Sequence, residues 1–355
     1  MTNRTVLHAV QLTAGGRYVD FAGWDMPVQF AGISAEHLAV RSGCGLFDLG
    51  HMGRLRVDGP GAAAFLRRQV CRKLTGILPG QVRYGMVLAA DGTVEDDILV
   101  SKEADLAWHV VVNAGNRRKI LELWRADLPT GVILTDLSDQ QAMIAVQGPQ
   151  AAALLKGLGL DGSGMGYYRF TDVDWQGTTV RLSRTGYTGE DGFECFVPQA
   201  NAVALWEAIR AAGATLCGLG CRDSLRLEAG MPLYGHELDR TMTPVEAGLR
   251  FAINPEGGFI GADIVLAEMR NGPARTLVGL RMLDKRVPRQ GYPVLSETTA
   301  VGQITSGTLS PTLGFPIGMA LVATAHSAVG TLLQVDIRGT ACQAEVVALP
   351  FYKRG

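Results

Sequence analysis

A mixed α+β fold with an all-β C-terminal domain is what this sequence predicts, and three observations carry the prediction. Up to residue 270, runs that alternate apolar and polar at period two are interleaved with runs of helical spacing. Beyond Arg270-Asn271-Gly272-Pro273 only short alternating runs follow, punctuated by Gly and Pro, so residues 275 to 355 read as a barrel or sandwich. Glycine is in excess, 45 of 355 residues, with no G-X-Y period. The chain therefore turns often and brings its backbone close to neighbours or to a ligand.

Taken in order, residues 18 to 48 are dense in turn chemistry, and the chain bends before Pro27. Glu36 to Arg41 reads as a short helix, Leu55 to Val57 as a strand, and the alanine-rich stretch Gly61 to Val70 as a helix. Ile98-Leu99-Val100 is an apolar run, and Ala107 to Ala114 is a strand. Asn116 is expected to cap a helix carrying Ile120, Leu123 and Trp124 at helical spacing. Ala142 to Val146 is a buried strand that Gln147-Gly148-Pro149 breaks, with Pro149 suited to the first position of a helix over Ala151 to Lys156. Thr178 to Ser183 and Gly192 to Pro198 alternate as strands. Val203, Leu205, Trp206 and Ile209 mark a helix that Gly213 closes, and a further helix begins near Leu219. In the last domain the strands are Val278-Leu280-Met282, Gln303 to Thr305, and Leu333-Val335-Ile337.

Composition excludes several classes. Lys+Arg 33 against Asp+Glu 34 gives a net charge of −1, so no basic footprint supports nucleic-acid binding. No apolar run approaches a spanning helix, and the first ten residues carry no charged-then-apolar signal. Six cysteines without C-x-x-C spacing fit free thiols in a reducing compartment, and a cytoplasmic location is expected. Cys217 and Cys221 can share a helix face, but the sequence shows no further ligand near them and no H-E-x-x-H, so no metal is expected. Gly157-x-Gly159-x-x-Gly162 follows a helix, not a strand, and opens none, so it is not a dinucleotide fingerprint.

The candidate site begins at Arg184-Thr185-Gly186-Tyr187-Thr188-Gly189-Glu190-Asp191-Gly192-Phe193-Glu194, a glycine-rich turn between two strands. Alternation puts Phe193, Cys195 and Val197 on one face and Glu194 on the other, beside Phe196. A carboxylate fixed there suits a ligand with adjacent N–H donors; an ordinary hairpin with a solvated Glu fits the same pattern. Glu95-Asp96-Asp97 sends its last two acids to opposite faces, so one can be solvated while the other enters a pocket. Asn113, at the end of a strand, is either a reader of a polar ligand edge or a strand terminator. Arg222 and Arg226 lie one turn apart, and either a ligand or an acid of the chain such as Asp223, Glu228 or Glu194 can meet them.

These pieces, in this order, resemble the folate-dependent aminomethyltransferase (T-protein) family of the glycine cleavage system. The resemblance spans nearly the whole chain. It rests on Phe21-x-Gly23-Trp24-x-Met26-Pro27, Glu36-His37-x-x-Val40-Arg41, Phe47-Asp48-x-x-His51-Met52-Gly53, Asp96-Asp97, Asn113, the Arg184 to Glu194 stretch, Arg222 to Gly230, Thr305-Ser306-Gly307-Thr308, and Pro350-Phe351-Tyr352-Lys353-Arg354. It implies a three-domain cloverleaf around a central folate channel. Residues 1–270 would form a folate-binding core of two intertwined α+β domains, the second roughly 54–140, with 275–355 the barrel. It implies transfer of a methylene group from an aminomethyl-dihydrolipoyl carrier protein (H-protein) to tetrahydrofolate, with release of ammonia. By position, Asp97 matches the catalytic carboxylate, Glu194 the pterin-reading acid and Arg222 an arginine near the folate. Asn113 and Tyr187 match walls of the folate site, and Tyr352 and Arg354 the C-terminal tail at the cavity. Partners other than the carrier, nucleic acid and membrane included, are not implied.

The chain departs from the family pattern at Gly50, where Ser is usual, and at Gly257-Gly258, where a Lys precedes Phe-Ile-Gly. Two other readings keep part of the resemblance: a tetrahydrofolate-dependent demethylase of a small methylated compound, and a non-catalytic folate-binding accessory protein. Asp97 disfavours the second, since a pure binder needs no carboxylate there.

Overall fold

The computed structural model describes residues 2–355, and the fold class is the one expected: α+β, with a closed six-stranded β-barrel at the C-terminal end. The chain divides into two compact units. One holds the residues up to Leu66 together with Leu74–Tyr84 and Ile98–Asp223; the other holds Arg67–Lys73, Gly85–Asp97 and Ser224–Gly355.

The first unit is built on a six-stranded sheet ordered Phe170–Trp175, Thr178–Ser183, Gly192–Pro198, Gln141–Gln147, Gly45–Asp48, Thr215–Leu216. Neighbours are antiparallel except the last pair, which is parallel. Phe193, Cys195 and Val197 share one core with Ile144, Val146, Val180 and Leu182, and the helix Gln199–Ala211 seals it with Leu205, Trp206 and Ile209. Burying such side chains stabilises by about 1.5–3 kcal/mol each, so this face fixes the strand register. The opposite face of Gly192–Pro198 is buried as well. There Phe196 meets His109 edge-on, ring centroids 5.1 Å apart. The alternation predicted one wet face; two packed faces are found.

A five-stranded sheet runs Val82–Leu88, Val94–Ala104, Ala107–Val112, Gly53–Asp58, Ile133–Asp136. The helix Arg117–Ala126 buries Ile120, Leu121 and Trp124. Asn116 stands at its N-cap position but makes no side-chain cap, because it belongs to the 3-10 turn Ala114–Asn116 and is itself helical, φ −101° and ψ −9°. Pro149 lies outside the helix Ala151–Gly157, whose N-cap is Gln150.

Residues 17 to 29 form a hairpin, Arg17–Phe21 with Trp24–Gln29, where turn density predicted only bends. Ala22 and Gly23, at φ 52° and 80°, make the tight turn, both positive as a primed hairpin turn requires. Pro27 is accommodated within a two-stranded ribbon beside a register irregularity at Arg17/Tyr18, where a missing N–H costs little.

In the second unit the barrel strands run Arg275–Met282, Pro316–Ala323, Thr299–Leu309, Pro293–Ser296, Leu332–Asp336, Ala341–Val347 and close on the first. Val278, Leu280, Met282, Val294, Ile304, Val322, Leu333 and Val335 fill the interior, as expected where so few strands leave no lumen.

Candidate functional site

Glu194 sits in a central strand, paired with Ala145 on one side and Ser183 on the other, and is 4% exposed. Its Oε2 accepts a 2.6 Å hydrogen bond from the Thr185 hydroxyl. Burial pushes its carboxyl above the ordinary range, while Thr185 and the positive charge of Arg222 pull it back. An ionised carboxylate so placed needs donors, and a ligand that brings them relieves its desolvation.

The preceding turn is held by side chains of the stretch itself and by two from outside it, Gln147 and Arg41. Gln147 Nε2 donates to the Thr185 carbonyl at 3.1 Å, and its Oε1 accepts from the Thr188 hydroxyl at 2.9 Å. Arg184 grips Asp191 with two bonds of 3.0 and 2.7 Å, and Arg41 bonds the Thr188 carbonyl and Glu190. A Cβ on Gly186 or Gly192 would fall 2.1 Å or 2.7 Å from the Gln147 amide. Those two glycines thus serve close approach, and Gly189 alone of the three takes a positive φ, 80°. No spacing rule could have flagged Gln147, which lies 38 residues from Thr185.

Arg222, on the helix Leu219–Glu228, stacks its guanidinium 4.6 Å from the Tyr187 ring. Glu194, Tyr187 and Arg222 are therefore brought together within the first unit. Asn113 ends the strand Ala107–Val112 and precedes the 3-10 turn, with an extended backbone. Asp97, Tyr352 and Arg354 belong to the second unit. Asp96 is fully buried and Asp97 half-buried, as alternation predicted; Tyr352 donates its N–H to the Glu228 carbonyl at 2.8 Å. Arg226 takes a partner the sequence did not suggest, Glu237 at 2.7 Å.

His51 is a further residue of this region. It is 2% exposed, stands edge-on to Phe21 at 5.7 Å, and its Nδ1 has no hydrogen-bond partner. Burial, reinforced by Arg222 and Arg54, lowers its pKa from 6.5 to about 3; burial lowers that of His109 to about 4. Between pH 6.5 and these values the unfolded chain binds the protons, so folding stability rises with pH there. The denaturation midpoint is expected to fall as pH drops from 7 to 5. An unchanged midpoint would show these rings to be protonated in the fold.

Both departures have local reasons. A Cβ at Gly50 would lie 3.0 Å from Asp48 Oδ1 and 3.1 Å from Thr5, in a cavity of about 160 Å³ that Asp48 and Arg54 also line. Gly257 and Gly258 both adopt left-handed φ, 74° and 84°, which a Lys at either place would strain.

The family model of the GCVT N-terminal domain matches residues 7–256, and that of the glycine cleavage T-protein C-terminal barrel domain matches residues 275–353. An aminomethyltransferase of Streptomyces avermitilis is 46% identical over 99% of this chain and 97% of its own. Another, from Geobacillus sp. (strain WCH70), is 44% identical with both chains fully covered. The crystal structure of glycine cleavage system aminomethyltransferase T from Bartonella henselae superposes with a TM-score of 0.94, at 32% identity and 99% coverage of each chain.

Proposed function

We infer the reaction from a plain premise: the chain belongs to the glycine cleavage T-protein family, the aminomethyltransferases. It is an aminomethyltransferase of the glycine cleavage system; its relatives' names favour this over the demethylase and accessory readings. We propose that the acceptor is tetrahydrofolate and the donor an aminomethyl group on the dihydrolipoyl arm of a carrier protein. The methylene carbon passes to the folate, the amine leaves as ammonia, and the lipoyl arm is left reduced. A cytoplasmic setting fits free thiols. The cloverleaf, its central channel and the boundary near residue 270 are part of the same proposal.

The observation that carries the substrate assignment is Glu194, buried in a central strand and pinned through Oε2 by Thr185. A pterin presents adjacent N–H donors, and a carboxylate accepts two of them in parallel. Arg222, stacked on Tyr187, keeps a fixed cation beside that carboxylate and suits an anionic glutamyl tail. Asn113 and Tyr187 would wall the folate, with Tyr352 and Arg354 at its cavity. Asp97 would stabilise positive charge on the migrating carbon and orient the attacking nitrogen, which positioning and electrostatics demand more than a strong base.

Glu194→Ala is expected to weaken tetrahydrofolate binding by about 1–3 kcal/mol, the cost of leaving the pterin donors unpaired. Calorimetry reads this directly, and equal affinity would remove Glu194 from the folate site. Ammonia release from aminomethylated carrier protein, dependent on added tetrahydrofolate, tests the reaction as a whole.

A further inference from the structure

We propose that Glu36, Cys217 and Cys221 form a binding site for a thiophilic divalent cation such as zinc. The carboxylate and the thiols come from segments 181 residues apart, yet one ligand atom from each lies within 4.8 Å of the other two. All three residues are buried, at 0%, 2% and 0% exposure. Metal–ligand bonds of about 2.0–2.3 Å place tetrahedral ligands roughly 3.3–3.8 Å apart, within the bound that the trio already meets.

The backbone fixes where the ligands stand. Glu36 lies in the first turn of the helix Ile33–Ser42. Its Oε1 accepts from the N–H groups of Phe30 and Gly32 at 2.6 and 3.0 Å, and its Oε2 from that of Gly218 at 2.9 Å. Three of about four lone-pair directions are taken, which leaves one for a metal. A Cβ on Gly218 would lie 2.4 Å from the Val28 backbone, so the link between the cysteines is held close. Cys217 precedes the helix Leu219–Glu228 and Cys221 stands in its first turn, and the two thiols are hydrogen-bonded to each other. The Cys217 thiol donates to the Thr215 carbonyl oxygen at 3.3 Å, a bond that metal binding would replace.

Two thiolates and a carboxylate select zinc or cadmium over magnesium or calcium. Binding forms two metal–sulfur bonds and releases the two thiol protons to solvent, with no change of oxidation state. The sequence alone gave no expectation of a metal, because the carboxylate is remote from the cysteines in the chain. The competing reading is that the thiols only fill the core. The inference stands apart from the folate assignment, since its readout is the metal itself.

The test uses the reduced, chelator-treated full chain titrated with cadmium alone. A thiolate-to-cadmium ultraviolet absorption should rise and level off at one equivalent. Cys217→Ala and Cys221→Ala should each lose affinity by more than about 100-fold, beyond what outer partners cost. Cys44→Ala, altering a thiol near Cys217 but outside the trio, should retain it. A cadmium-113 resonance of the unaltered chain in the mixed sulfur–oxygen range gives the same answer without a variant. No saturating absorption, a resonance typical of oxygen ligands alone, or saturation that survives both folded cysteine variants would overturn the proposal.

Discussion

Asp97→Asn is expected to lower turnover by about 10²–10³-fold or more, the scale on which a single preorganised electrostatic partner acts, while tetrahydrofolate still binds. The strand Val94–Ala104 provides the reason. Val94, Asp96, Ile98 and Val100 are buried on one face, and Glu95, Asp97 and Leu99 are half-buried on the other. Asp96 has the burial of a structural acid; Asp97 retains the access that a reacting group needs. Asparagine keeps the shape and removes the charge, so the loss should appear in kcat with the dissociation constant for folate little changed. Single-turnover rates with aminomethylated carrier protein, paired with calorimetry, separate the two. Wild-type turnover in the folded variant would remove Asp97 from catalysis. Loss of turnover in a folded Asp96→Asn instead would exchange the two roles.

Arg226→Ala is expected to cost about 3–5 kcal/mol of stability, the penalty for stranding one partner of a buried ion pair. Arg226 and Glu237 are both wholly buried, joined at 2.7 Å, and a second guanidinium nitrogen donates to the Ser306 hydroxyl at 2.7 Å. Glu237 Oε1 already lacks a partner, so loss of the arginine leaves a buried carboxylate that must take a proton or open the structure. A double variant, Arg226→Met with Glu237→Leu, should recover most of the loss, because apolar replacements of a buried pair are often neutral or better. Denaturant unfolding measures both. A single variant within about 0.5 kcal/mol of the parent, the range of ordinary surface changes, would mean that water reaches this pair.

Most of the architecture was legible because burial leaves a period in the sequence. The strands Thr178–Ser183 and Gly192–Pro198 carry the bounds read from alternation alone. Legibility failed where both faces are packed: Pro316–Ala323, buried over its first five residues, shows no alternation and was missed as a barrel strand. It failed again where a turn and a strand share residues, as in the hairpin through Pro27. Within the candidate site, Glu194 stood out because alternation sets it opposite an apolar trio at the end of a glycine-rich turn. Gln147, which holds its turn, is unremarkable in type and remote in sequence, Thr185 is marked only by lying in the same stretch, and no local spacing links Glu237 to Arg226. Pairing across long loops is a property of the fold that local spacing does not encode.

The barrel's closure bears on how the chain is made. Arg275–Met282 pairs on one side with Ala341–Val347, and 341 − 282 = 59 residue steps separate the end of one from the start of the other. At about 5–20 residues per second, a nascent chain waits some 3–12 s between translating the two. For that interval the earlier strand shows an unzipped edge near the ribosome, open to any neighbouring polypeptide, and chaperone demand during translation should concentrate there.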